Sequence, residues 1–181
     1  MEGNGVGRVL AGACLVAGPA LTGASTAFWQ GGSQGETGGA LVVLATALWA
    51  YGLVTVLAGV SRKLPRYGAV AMLVTVLGVV GGTVFGVRAI YEAGAHPVEG
   101  IWWAGPMFPA SLVLTGVGLL LARGVPRWVG TLVCVGGLAF PAGQVMRVEW
   151  LASGVDLLLL VPFAFLAWGM VHEAKEVVPA A

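Results

Sequence analysis

A chain of 181 residues with 58% hydrophobic and only 9% charged side chains cannot cover a water-soluble surface, where roughly 25% of residues carry charge. Nine Lys and Arg stand against eight Asp and Glu, for a net charge of +1, and no basic stripe exists to neutralise phosphates, so nucleic acid is excluded as a partner. The composition calls instead for a lipid bilayer and an all-α, polytopic transmembrane helical bundle, expected as one domain over residues 1–181.

Six apolar runs follow in chain order, at about 9–29, 38–60, 67–90, 104–122, 128–146 and 154–171, bounded by the clusters of charge, Gly and Pro. Each approaches the roughly 20 residues that cross a bilayer as a helix. None alternates apolar and polar positions as a barrel strand would. The first run has Arg8 before it and Ser25-Thr26-Ala27 after it, which loosely fits a cleaved signal. Its apolar region exceeds the usual 7–15 residues or so and Pro19 interrupts it, so a retained helix is expected.

The second run carries Trp49 and Tyr51 near its middle, where they either pack the core or line a ligand cavity. It ends at SRKLPRYG (61–68), and this spelling returns as ARGVPRWVG (122–130). Pro65 and Pro126 each end one helix and start the next, while Arg and an aromatic ring suit the headgroup region. Arg62, Pro65, Arg66 and Tyr67 match Arg123, Pro126, Arg127 and Trp128, and Gly82 falls on Gly143, at one constant offset. That pattern suggests a parallel repeat of helical hairpins.

With six crossings, Arg8, Arg62, Lys63, Arg66, Arg123, Arg127 and Lys175 fall on one side, and Arg88 and Arg147 on the other. Basic residues accumulate on the cytoplasmic side, so both termini are expected there, in a bacterial inner (plasma) membrane.

The chain holds 30 glycines, and the third run places Gly78, Gly82 and Gly86 at strict four-residue spacing. Such a stripe lets a second backbone approach closely, as a seam within the bundle or between subunits. The expected partners are therefore the lipid bilayer and either a homo-oligomer or a larger membrane complex. Pro19, Pro141 and Pro162 lie inside runs and should bend their helices, which a cavity or gate would use and a passive bundle would tolerate.

Ionisable groups inside a membrane are the default candidates for function. Asp156 is the one carboxylate embedded in an apolar run, within Ser153-Gly-Val-Asp156-LLLL, a few ångströms below the outer interface. Three readings compete: an S-x-x-D helix cap, an ion pair with Arg147 or Arg88, and a working site. Arg88, Gln144, Arg147 and Asp156 form the candidate outer polar cluster, with Glu92, His96, Glu99 and Glu149 nearby. Arg88 and Glu92 are one helical turn apart, and Trp29, Trp102, Trp103 and Trp150 suit an interfacial belt.

No cofactor and no metal site is expected. P-loop, dinucleotide, serine-hydrolase and zinc-protease motifs are absent, and His96 and His172 are the only histidines. Cys14 and Cys134, alone in apolar runs, read as small core residues.

At GVGLLLARGVPRWVGTLVCVGGLAFPAGQV followed by LASGVDLLLLVPFAFLAWG, the last third resembles uncharacterised small multi-span bacterial membrane proteins. The resemblance implies membrane placement and no reaction. Three functional readings follow: a structural or accessory membrane component, a small transporter or channel for a small solute, and a membrane enzyme acting on a lipid or quinone-like substrate.

Overall fold

A computed structural model describes residues 5–28, 35–91, 106–146 and 149–177. These residues form a helical bundle of α1 (Gly5–Thr26), α2 (Gly35–Lys63), α3 (Pro65–Tyr91), α4 (Met107–Ala122), α5 (Arg127–Met146) and α6 (Glu149–Val177). Every apolar run of the sequence is one helix. Four of them, Gly5–Thr26, Gly35–Lys63, Pro65–Tyr91 and Trp150–His172 within α6, are long and apolar enough to cross a membrane, and α4 is a shorter apolar helix. Pro19, Pro141 and Pro162 lie inside α1, α5 and α6.

The helices close into a ring: each packs on its neighbours in sequence, α6 returns onto α1, and α2 reaches across to α4. Leu15, Trp49, Leu53, Leu112, Val133, Leu159 and Phe163 fill the interior from α1, α2, α4, α5 and α6. α3 is different. Its buried residues are Gly68, Ala71, Thr75, Gly78, Gly81 and Gly86, all small, while Val70, Leu73, Val76, Leu77 and Val80 face outward. Lipid tails are as apolar as these side chains, so α3 is held by close backbone packing and not by apolar burial.

The glycine stripe is where that packing occurs. A methyl placed on Gly78 would stand 2.7 Å from the Phe108 Cα of α4, and one on Gly86 would stand 2.9 Å from the Gly39 carbonyl oxygen of α2. On Gly82 it would meet only the Thr46 methyl, at 2.6 Å. The seam anticipated from the stripe lies inside this chain, between α3 and the α2–α4 pair. α4 and α5 repeat the device, since a methyl on Gly116 would lie 2.6 Å from the Gly130 carbonyl oxygen.

The two basic turns meet at one end of the bundle. The Lys63 ammonium donates to the Ala122 carbonyl (3.0 Å), tying the α2–α3 turn to the end of α4. Tyr67 donates its hydroxyl to the Leu114 carbonyl. The turns are nevertheless built differently. Only Leu64 separates α2 from α3, whereas residues 123–126 separate α4 from α5. Arg123 takes a left-handed conformation (φ 49°) as the C-cap of α4, ahead of Gly124, and nothing of the kind occurs at Arg62. The shared spelling thus marks two helical hairpins with distinct turn geometries.

Candidate functional site

α6 begins at Glu149, five residues before the start expected from the apolar run. Asp156 therefore lies in the second turn of the helix, which overturns the capping reading. Ser153-Gly-Val-Asp156 imitates a capping box, but Trp150, Leu151 and Ala152 extend the helix upstream of it and remove the free N–H groups a cap would serve. At 1.5 Å per residue Asp156 lies roughly 9 Å along the helix from Trp150.

Its surroundings are unusual for a carboxyl. Asp156 is 1% exposed, and neither Oδ1 nor Oδ2 has a hydrogen-bond partner among the described residues. It faces α1, where a methyl on Gly23 would stand 3.4 Å from the Asp156 Cβ and 3.9 Å from Oδ2. One turn away, the Ser153 and Thr26 hydroxyls bond each other at 2.7 Å and bridge α6 to α1. Ser153 thus ties two helices together in place of capping one.

The α1 residues near Asp156 carry three more polar features. Thr22 donates its hydroxyl to the Gly18 carbonyl (3.0 Å), Ser25 to the Thr22 carbonyl (2.6 Å) and Thr26 to the Gly23 carbonyl (2.7 Å). Such back-bonds are how hydroxyls live inside apolar helices. α1 also tightens as it ends, because the Ala27 N–H donates to Ala24 and the Phe28 N–H to Ser25. Gly23, beside Asp156, thus belongs to the carboxyl-terminal turn of α1, the negative end of the helix dipole.

Trp49 reaches Thr22 from α2. It is fully buried and stands edge-on to Phe108 (5.6 Å between ring centres) and Phe163 (5.0 Å). Its Nε1–H donates to the Thr22 hydroxyl at 3.3 Å. Gly18 lies flat on the indole, 3.0 Å from a notional methyl, so Trp49 joins α1, α2, α4 and α6. It belongs to the hydrophobic core. Tyr51, two residues on, points the opposite way, is 43% exposed, and donates its hydroxyl to the Gly7 carbonyl (3.4 Å). The pair therefore lines no common cavity, because residues two apart lie on nearly opposite helix faces. One surface groove runs between α1 and α6, with a volume of about 340 Å³ and an apolar lining that includes Val9, Ala13, Ala164 and Trp168.

Of the expected polar cluster, Arg88 does not reach Asp156. Arg88 is in the last turn of α3, and α6 packs on α1 and α5 but not on α3. Arg147, the loop bearing Glu92, His96, Glu99, Trp102 and Trp103, and Trp29 lie outside the described residues, as do the side chains of Gln144 and Glu149. Among the described residues no three His, Cys, Asp or Glu come together as a metal site. Cys14 and Cys134 are free thiols on helices that do not touch. No family model, no curated protein and no solved structure matches this chain.

Sequence reading named Asp156 and missed Thr22, Ser25, Thr26 and Gly23, which turn an isolated carboxyl into a site. The available signal was the hydroxyl-rich end of α1, Thr22 to Thr26, of which Ser25-Thr26-Ala27 loosely fits a cleavage pattern.

Proposed function

We propose that this chain is a small polytopic carrier of the bacterial inner membrane that binds a small positively charged species at Asp156. The observation that carries the reading is a fully buried carboxyl, well inside the bilayer-spanning part of α6, with no protein hydrogen-bond partner among the described residues. An ionised carboxylate in such a place costs many kcal/mol unless something neutralises it, and intramembrane carboxyls are kept for ion and proton paths. Proteoliposomes adsorbed on a solid-supported membrane test it: jumps in H⁺, Na⁺ or K⁺ concentration should drive a transient current that Asp156→Asn abolishes. Currents indistinguishable from those of empty liposomes would sink the carrier reading.

A second reading, a structural or accessory component, is favoured by the glycine contacts that bring α3 to closest approach with α2 and α4. It differs in outcome, since an accessory protein gives no current and co-purifies with a partner.

For orientation, Arg8, Arg62, Lys63, Arg66, Arg123 and Arg127 lie at one end of the antiparallel ring, which supports a cytoplasmic location for that end and for both termini. Cysteines introduced at Lys63 and Arg127, in a background without Cys14 and Cys134, should resist an impermeant thiol reagent in intact cells, and one at Tyr91 should react. The reverse labelling overturns this orientation.

A further inference from the structure

We infer that the species held at Asp156 is an alkali cation, bound between the carboxylate and the carbonyl end of α1. This rests on the carrier reading for its place in a transport cycle, but the binding site stands on its own geometry.

Three observations select the ligand. The first is charge. Among the described residues Asp156 is the one buried charged group, and the neighbouring polar side chains, Thr22, Ser25, Thr26 and Ser153, are all neutral. A single positive charge balances the site. A divalent ion would leave a net charge in an apolar interior, which is strongly unfavourable.

The second is the donor chemistry. Besides Oδ1 and Oδ2, the neighbourhood supplies the Thr26 and Ser153 hydroxyl oxygens, already paired across the helices, and the Gly23 carbonyl, which accepts the Thr26 hydroxyl. All are hard oxygen donors, suited to alkali and alkaline-earth ions and unsuited to softer metals. Helix α1 adds the negative end of its dipole, which repels an ionised Asp156 and attracts a cation. Membrane carriers hold Na⁺ at helix carboxyl ends in this manner.

The third is size. The absent side chain of Gly23 leaves only about a methyl's room between α1 and Asp156, since a methyl there would stand in van der Waals contact with the Asp156 Cβ at 3.4 Å. An organic cation would have to push the two helices apart, whereas a bare ion need not.

The experiment is a melt of the purified full chain in detergent, in NaCl, LiCl, KCl or N-methyl-D-glucamine chloride at equal ionic strength. The midpoint should rise by about 5 °C or more in saturating NaCl over N-methyl-D-glucamine, through preferential binding to the folded state. Asp156→Asn should lose that rise. Thr26→Val, which keeps shape and removes one oxygen donor, should raise the half-saturating Na⁺ concentration by about tenfold and remain folded if Asp156→Asn does not. Equal midpoints in all four chlorides, or a rise that persists in Asp156→Asn, overturn the inference. So does a midpoint that responds to acid alone, which assigns a proton. Binding and carriage fail separately: a cation-dependent midpoint without current refutes the carrier and keeps the site, and currents driven by H⁺ alone do the opposite.

Discussion

Asp156→Leu should make the bundle more stable, by about 1–3 kcal/mol in a buffer free of alkali ions, which corresponds to several degrees in thermal midpoint for a chain of this length. Leucine branches at the same carbon as aspartate, so it fills the space beside Gly23 without placing an unpartnered polar group there. Replacing buried ionic groups by apolar ones of similar volume is often neutral or stabilising, because desolvation is relieved. Adding NaCl should narrow the gap, since only the wild-type chain gains from the cation. The measurement is a pair of melts, with and without NaCl. A markedly lower midpoint for Asp156→Leu in both buffers would mean that the carboxyl has a stabilising protein partner, and the site reading would fall with it.

The second large effect belongs to the glycine seam. Gly78→Ala and Gly86→Ala should each cost about 1–3 kcal/mol, because the new methyl would meet backbone atoms at 2.7 to 2.9 Å that cannot step aside. Gly82→Ala should cost less, since only the Thr46 methyl stands in the way and that side chain can turn. Turning it would give up the 3.2 Å bond between the Thr46 and Thr83 hydroxyls, so the cost is not zero. Gly59→Ala and Gly169→Ala meet nothing within 4 Å and should be neutral or slightly stabilising, as helix propensity predicts. Denaturation of the five variants in one detergent gives the ranking. Five equal responses would show that the stripe reflects composition and not packing.

These two cases mark how far the sequence could be read. Helix number and placement were legible, because apolar runs of bilayer length leave little choice and Pro65 and Pro126 punctuate them. The seam was legible in outline from the spacing of Gly78, Gly82 and Gly86, but not its partners, since a helix face does not specify which neighbour covers it. The error at Asp156 has a definite origin. A Ser-x-x-Asp pattern reads as a helix start, and nothing local says that Trp150, Leu151 and Ala152 already belong to the helix. Trp49 and Tyr51 were grouped by proximity along the chain, whereas a helix sends them to opposite faces. The contribution of Thr22 and Thr26 depends on α6 folding back onto α1, a contact that spans more than a hundred residues and leaves no trace in spacing.

That long-range closure also bears on biosynthesis. During translation α1 enters the bilayer five helices ahead of α6, and it must remain there while its eventual neighbour is still being made. Its hydroxyls are prepared for the delay, because Thr22, Ser25 and Thr26 each satisfy a carbonyl of their own helix and need no help from another. Asp156 has no such local recourse. The segment able to wait in lipid is the early one, and the segment unable to wait arrives when its counterpart is already in place. A nascent chain arrested before α6 would therefore be a tolerable membrane resident without a binding site, and the ion could be captured only once synthesis had passed the last span.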